Sequence, residues 1–243
     1  MKRKPNPVTK KISKVNELLI QKYGLPYRPQ NPPDPLDMLI ATILSQNTND
    51  KNSFKAFTNL KEKYESWDKA ADQQRSKIEK AIKIAGLGKQ KSAAIKNVLT
   101  TLKRNYNRIS LSQIVNKNDN EIISELISFD GVGLKTASCV LLFSLRRNIC
   151  PVDTHVHRTA NRIGIVKTKT PDKTFEILNP DLPDGVAHSF HTNLIRLGRE
   201  FCKPAKPSCL ICPLLNICEF DKKNLAEHIQ YKRNDFLLLD NIK

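Results

Sequence analysis

Phe129-Asp130-Gly131-Val132-Gly133-Leu134-Lys135-Thr136-Ala137 is the stretch around which the chain is organised. Before it, Asp119 to Ser128 carries Ile122, Ile123, Leu126 and Ile127 at helical spacing. After it, Val140, Leu141, Leu142, Phe143 and Leu145 continue a nearly all-apolar helical run. Two glycines one residue apart, set between two helical segments, spell a tight turn that opens a buried helix. Free N–H groups at the positive end of that second helix suit an anion such as a DNA phosphate. From this stretch alone, an ordinary helix–helix joint is the plainer reading. Lys135 is the residue out of place, because the first turn of a helix disfavours a cation. The same electropositive setting favours the neutral amine, which is the nucleophilic form. A solvated lysine touching phosphate is the simpler alternative.

Working outward, the 243 residues hold 41 Lys plus Arg against 24 Asp plus Glu, a formal charge of +17. An excess of this size points to a polyanionic partner, above all nucleic acid. No apolar run is long enough to cross a membrane. Met1 to Lys14 is basic without an apolar core, so no secretory leader is expected. Six cysteines then argue for metal or redox use rather than disulfides.

Residues 1–8 read as a basic arm, with Lys2, Arg3 and Lys4. A helix is expected over 9–23, ending at Gly24. Pro26, Pro29, Pro32, Pro33 and Pro35 prevent a continuous helix over 25–35 and mark a linker. The next helix, about 36–46, is apolar on most faces and belongs at the centre of a helical domain. It runs into Ser45-Gln46-Asn47-Thr48-Asn49-Asp50. Those small polar side chains can cap the following helix, through Asn49 or Asp50, or probe a DNA strand.

Helices are expected over 50–64, with Phe54, Phe57 and Leu60 inward, and over 74–85, with Ile78, Ile82 and Ile84. Gly86-Leu87-Gly88-Lys89-Gln90-Lys91 echoes the later turn and opens a helix to about 104. It reads as another helix joint or as a second phosphate-facing turn, with Lys89 and Lys91 in solvent in either case. A polar loop spans 105–118. Asp153 precedes a helical run through Val156, Ala160 and Ile163. Aspartate there is a favoured N-cap, and a carboxylate fixed at a helix start also suits acid–base or charge-stabilising work. His155 and His157 lack metal-ligand spacing. Further helices are expected over 172–178 and 184–200. Nothing alternates with period two for long, so the fold class is all-α.

The strongest spacing is Cys202-x6-Cys209-x2-Cys212-x5-Cys218. Four thiolates so close in sequence can wrap one metal centre, either zinc or an iron–sulfur cluster. Cys139 and Cys150 read as buried, unligated thiols. Phe236 to Leu239 sit in a C-terminal tail, 221–243, with no sign of chemistry.

Taken together, these elements resemble the endonuclease III family of helix-hairpin-helix DNA glycosylases over roughly residues 10–220. The turn at 129–137 looks like the family's Leu-Pro-Gly-Val-Gly-x-Lys-Thr-Ala hairpin. Val152-Asp153-Thr154-His155 looks like its Val-Asp-Thr-His segment, and the cysteine spacing is the one it uses for a [4Fe-4S] cluster. The resemblance implies two helical lobes with a DNA groove between them. One is a six-helix barrel domain over 36–147 that contains the hairpin. The other is a helical domain of 9–35 plus 148–220 that holds the cluster on Cys202, Cys209, Cys212 and Cys218.

It further implies that Gly131, Val132 and Gly133 grip the backbone of double-stranded DNA carrying damaged bases or abasic sites. A damaged base, an oxidised pyrimidine above all, is flipped out, with Gln46 or Asn47 as the wedge. Lys135 displaces it as nucleophile, Asp153 stabilises developing positive charge, and the Schiff base leads to β-elimination. A monomer in a prokaryotic-type cytoplasm, at the nucleoid, is the implied setting. Asp130 departs from the family's proline, and Ser45-Gln46-Asn47-Thr48 from the usual Ser-Ala-Gln-Ala. A thymine- or uracil-directed mismatch glycosylase, and a non-catalytic DNA-binding module, are the competing readings.

Overall fold

The computed structural model describes residues 6–226, and every regular element among them is helical, as the sequence led us to expect. Lys2, Arg3, Lys4, Phe236 to Leu239 and the tail from 227 lie outside the described residues. The chain divides into two compact units. One takes the chain up to Tyr27 and again from Asn148; the other runs from Arg28 to Arg147. No helix of the described residues is long and apolar enough to cross a membrane.

The discontinuous unit begins with α1 (Pro7–Tyr23). Asn6 caps it, its side chain accepting from the Thr9 N–H at 2.8 Å, and Pro7 occupies the first turn, where a missing N–H costs nothing. Residues 6–8 are therefore cap and first turn, a correction to the arm read from the sequence.

The Arg28–Arg147 unit is built around α2 (Pro35–Ser45). Asp34 caps it by accepting from the Leu36 N–H at 2.8 Å. Met38, Leu39, Ile40, Ile43 and Leu44 are fully buried. Each such side chain contributes about 1.5–3 kcal/mol, and Leu39→Ala is expected to cost about 2–5 kcal/mol. Against α2 lie α3 (Asp50–Lys63), α6 (Gly88–Tyr106) and α8 (Leu134–Cys139); α4 (Trp67–Ala71) packs on α6, α5 (Arg75–Ile82) on α3 and α6, and α7 (Asp119–Ile127) on α8. A π-helical segment, Val140–Ser144, prolongs α8.

The inward assignment of Phe54 is corrected here, since it is 40% exposed, and Ile84, expected on the 74–85 helix, is 47% exposed. Phe57 and Leu60 occupy the buried stripe of α3, and Ile84 falls on a short 3-10 turn, Lys83–Ala85. The buried Asp37 carboxylate accepts from Lys61 Nζ at 3.0 Å and from Trp67 Nε1 at 2.6 Å, which binds α2, α3 and α4 together. Residues 28–35 join this unit because two arginines hold them to the end of its last helix. Arg28 donates to Leu142 O at 3.0 Å, and Arg146 to Pro29 O at 2.6 Å.

In the discontinuous unit α1 packs on α11 (Ala187–Glu200), which packs on α9 (Thr154–Ile163); α10 (Pro171–Leu178) lies against α9. A Cβ on Gly198 would stand 3.0 Å from His155, so α11 and α9 meet closely there. Residues 201–226, after α11, hold no regular element and carry the four clustered cysteines.

Candidate functional site

The hairpin is α7, the turn Ser128–Gly133 and α8. Asn118 and Glu121 form a capping box at the start of α7. The turn closes with the Val132 N–H donating to Phe129 O at 3.0 Å. Gly131 has φ +84, and a Cβ there would lie 2.7 Å from Ala94 Cβ on α6, so only glycine fits without a shift. Gly133 differs: its φ is −100 and a Cβ would meet nothing within 4 Å. Val132 is 5% exposed, so it can offer DNA only its main chain.

Asp130, where the family pattern has proline, is joined to α6 in both directions. Its N–H donates to Asn97 Oδ1 at 3.2 Å, and its carboxylate accepts from Asn97 Nδ2 at 3.1 Å. Proline could make neither bond through its nitrogen or a carboxylate. The turn chemistry changes while the open N–H groups at the start of α8 are kept; no side chain caps them.

Lys135 stands in that first turn and is half-buried. Among the described residues its amine has no hydrogen-bond or ion-pair partner. The polar loop lies beside the hairpin. Gln46 Nε2 donates to Gly131 O and to Thr136 Oγ1, each at a long 3.4 Å. Asn47 is exposed with φ +48. Asn49, not Asp50, caps α3 by accepting from the Asn52 N–H at 2.9 Å.

The structure thus brings Gly131, Val132, Gly133, Lys135, Gln46 and Asn47 together in one unit. Asp153 belongs to the other unit and caps α9, one carboxylate oxygen accepting from the Val156 N–H at 2.8 Å. Its second oxygen accepts no bond among the described residues. His155 is held toward its neutral form by burial first, and by the Arg158 and Arg199 charges, against the pull of Asp153.

The four cysteines of the motif rim one hollow of about 390 Å³, counting the space open to solvent. Ile163, Leu197, Phe201 and Leu214 give it apolar walls. Burial pushes the Cys212 thiol up to about 12 and Cys218 upward too, so thiolates there require a cation among them. No three Cys, His, Asp or Glu side chains of the described residues converge closely enough for a single metal ion. Four sulfurs around a shared hollow can ligate one metal centre.

Sequence reasoning passed over Arg162. It donates to Cys202 Sγ at 3.6 Å, to Lys203 O at 2.7 Å and to Pro204 O at 2.7 Å, and its guanidinium stacks on Phe220. It folds the loop and places positive charge beside the sulfurs. Its place one turn after Arg158, on the helix that Asp153 starts, was the only trace of it. The Leu87 side chain was also passed over, although its turn was weighed as phosphate-facing. Leu87 is a non-glycine residue at φ +50 whose side chain is 45% exposed. Non-glycine backbone at positive φ is uncommon and costs energy that the surrounding structure must offset.

A family model for HhH-GPD superfamily base excision DNA repair proteins matches residues 40–183. Endonuclease III of Thermotoga maritima is 37% identical over 191 residues, 78% of this chain and 85% of that protein. An Arabidopsis thaliana protein named as a DNA glycosylase is 38% identical over 190 residues, 74% of this chain but 65% of its own length. A solved non-covalent endonuclease III–DNA complex superposes with a TM-score of 0.72 at 26% identity, covering 86% of this chain and 94% of that one. The chain belongs to the HhH-GPD superfamily of base excision DNA repair proteins and, within it, to the endonuclease III family of DNA glycosylase/AP lyases.

Proposed function

We propose that this glycosylase/lyase removes oxidised pyrimidines from double-stranded DNA as a monomer, with Lys135 as nucleophile, Asp153 as the charge-stabilising carboxylate and a [4Fe-4S] cluster on Cys202, Cys209, Cys212 and Cys218. The observation that carries the reading is the Lys135 amine, unengaged in the first turn of α8 directly behind the Gly131–Gly133 turn. A solvated structural lysine would be better placed almost anywhere else on the helix.

The main-chain N–H groups of the turn hold a phosphate, and the damaged nucleotide leaves the stack. The neutral Lys135 amine attacks the sugar C1′; the C1′–N bond breaks and the base departs with a proton. Asp153 stabilises the positive charge that develops on the sugar through its unbonded carboxylate oxygen. The C1′–O4′ bond then opens, the ring oxygen takes up a proton, and the lysine nitrogen and C1′ are left joined as a Schiff base. Loss of a C2′ proton expels the 3′ phosphate, and water releases the enzyme. The four cysteines supply the ligands of the cluster, which makes their loop rigid; Arg162 offsets the charge of the thiolates. Gln46 and Asn47 fill the space the flipped base leaves.

Borohydride reduction of the enzyme with a duplex carrying an oxidised pyrimidine is expected to give a covalent adduct that Lys135→Gln abolishes. Undiminished trapping by Lys135→Gln would remove Lys135 from the mechanism. A side-by-side panel of lesion duplexes with excision confined to thymine or uracil mismatches would assign the mismatch reading instead.

A further inference from the structure

Lys91 is 2% exposed, which corrects the solvated position expected from Lys89-Gln90-Lys91. Its ammonium donates to Leu44 O at 2.7 Å and to Ala85 O at 2.8 Å, and its own N–H donates to Leu87 O at 3.0 Å. Burying an ammonium is costly, and methionine or leucine would fill the same volume without that cost. The fold therefore gains something here that packing alone does not supply.

Its partners say what. Leu44 O lies in the last turn of α2, one residue before Ser45-Gln46-Asn47. Ala85 O ends the 3-10 turn just before Gly86-Leu87-Gly88. Both are carbonyls at helix C-termini, where an intrahelical partner is lacking. Each is followed within three residues by a non-glycine at positive φ, Asn47 at +48 and Leu87 at +50. Both of those side chains are exposed. Strained backbone of this kind persists only where its surroundings hold it. One ammonium thus fixes the roots of two strained, exposed tips, and Gln46 carries the first of them on to Gly131 O.

We infer that Lys91 is a positioning residue that sets the Gln46–Asn47 loop and the Leu87 turn in one fixed register, so that the two tips enter the duplex together when a base leaves the stack. The inference rests on the proposal that the Gln46–Asn47 loop meets DNA. The fastener matters most when extrusion is hard, for a lesion fully paired in a duplex, and least for the same lesion in single-stranded DNA.

The test is single-turnover base excision by Lys91→Met, Lys91→Gln and Lys91→Arg on one oxidised pyrimidine in two settings, paired duplex and single strand. Rates are normalised to the active fraction by burst titration, so partial unfolding does not enter. The paired-duplex rate of Lys91→Met and Lys91→Gln is expected to fall about 10- to 100-fold, the scale of misplacing a group by about 1 Å. The single-strand rate is expected to stay within about threefold of the parent, and Lys91→Arg to recover most of the paired rate. An equal fall on both substrates makes Lys91 merely structural and overturns the inference, as does an unchanged paired rate. Gln46→Ala separates the two readings. A paired rate untouched by Gln46→Ala refutes the loop's contact with DNA, whereas a Gln46→Ala defect with a normal Lys91→Met refutes Lys91 alone.

Discussion

The two hairpin glycines are expected to fail in opposite ways, because the folded chain needs one of them and not the other. Gly131→Ala places a methyl at φ +84, which costs about 1–2 kcal/mol. The same methyl meets Ala94 Cβ at 2.7 Å, and overpacking of that kind costs about 1–3 kcal/mol because Ala94 has no flexible end to move. Gly131→Ala should therefore lose roughly 2–5 kcal/mol of stability in urea denaturation. Gly133→Ala meets open space at φ −100 and should gain about 0.4–1 kcal/mol by restricting the unfolded chain. If a phosphate sits on the α8 N–H groups, that methyl stands in its way. A lost hydrogen bond to a charged group is worth about 1.5–3 kcal/mol, so duplex affinity should drop about 10- to 100-fold. The slope of affinity against salt should not change, since no charge is altered. Fluorescence anisotropy on an abasic duplex over a salt series reads both quantities. Parental affinity in Gly133→Ala at every salt concentration would refute the phosphate cradle, and a loss of stability matching Gly131→Ala would refute the packing argument.

Asp153 is expected to separate its two duties. Asp153→Asn keeps a side-chain oxygen for the Val156 N–H, so its melting temperature should stay near the parent's while excision falls; Asp153→Ala should also lose about 0.5–2 kcal/mol of cap energy. Equal activity in Asp153→Asn would leave the residue as a cap alone. Iron and acid-labile sulfide are expected in equal amounts in the purified protein, and Cys212→Ser should lose both together with the fold of the loop. Zinc without sulfide would overturn the cluster. Lys135→Gln, as above, should lose the borohydride adduct while retaining abasic-duplex affinity to within about threefold, since a phosphate contact by one lysine is a small share of a +17 chain.

How much of this was legible in the sequence depended on whether a residue's partner was near it in the chain. Asp153 could be read as a cap because the N–H it accepts is three residues on. The cysteines could be read because their spacing alone confines them. The helix at 7–23 was started late because residues 1–8 were read as one basic arm, although Asn6 before Pro7 makes it a first-turn proline. The five-residue α4 has too few turns for a period to show, and it is fixed by Trp67 reaching Asp37 thirty positions back. Phe54 shares a spacing with Phe57 but falls at the edge of the buried stripe, a distinction that needs the neighbours of α3. Lys91 was the deepest miss. Its partners are main-chain carbonyls 47 and 6 residues away, and a carbonyl leaves no mark in the sequence.

These cases share a logic that bears on the site as a whole. A residue the fold requires declares itself by contacts: Gly131 by Ala94, Asp153 by the Val156 N–H, Asp37 by Lys61 and Trp67. A residue proposed here for chemistry or DNA contact stands out by contacts it forgoes. Lys135 leaves its amine unengaged among the described residues, Gly133 leaves room that an alanine would fill, and Leu87 holds an apolar side chain in solvent on strained backbone. Folding stability is too small a margin for such features to persist at random. All three stand in the Arg28–Arg147 unit, two of them only two residues apart where the hairpin turn opens α8. Lys91 belongs to neither kind, since it makes its bonds but buries a charge to make them, and for that reason its variants should discriminate between substrates where those of an ordinary core residue would not.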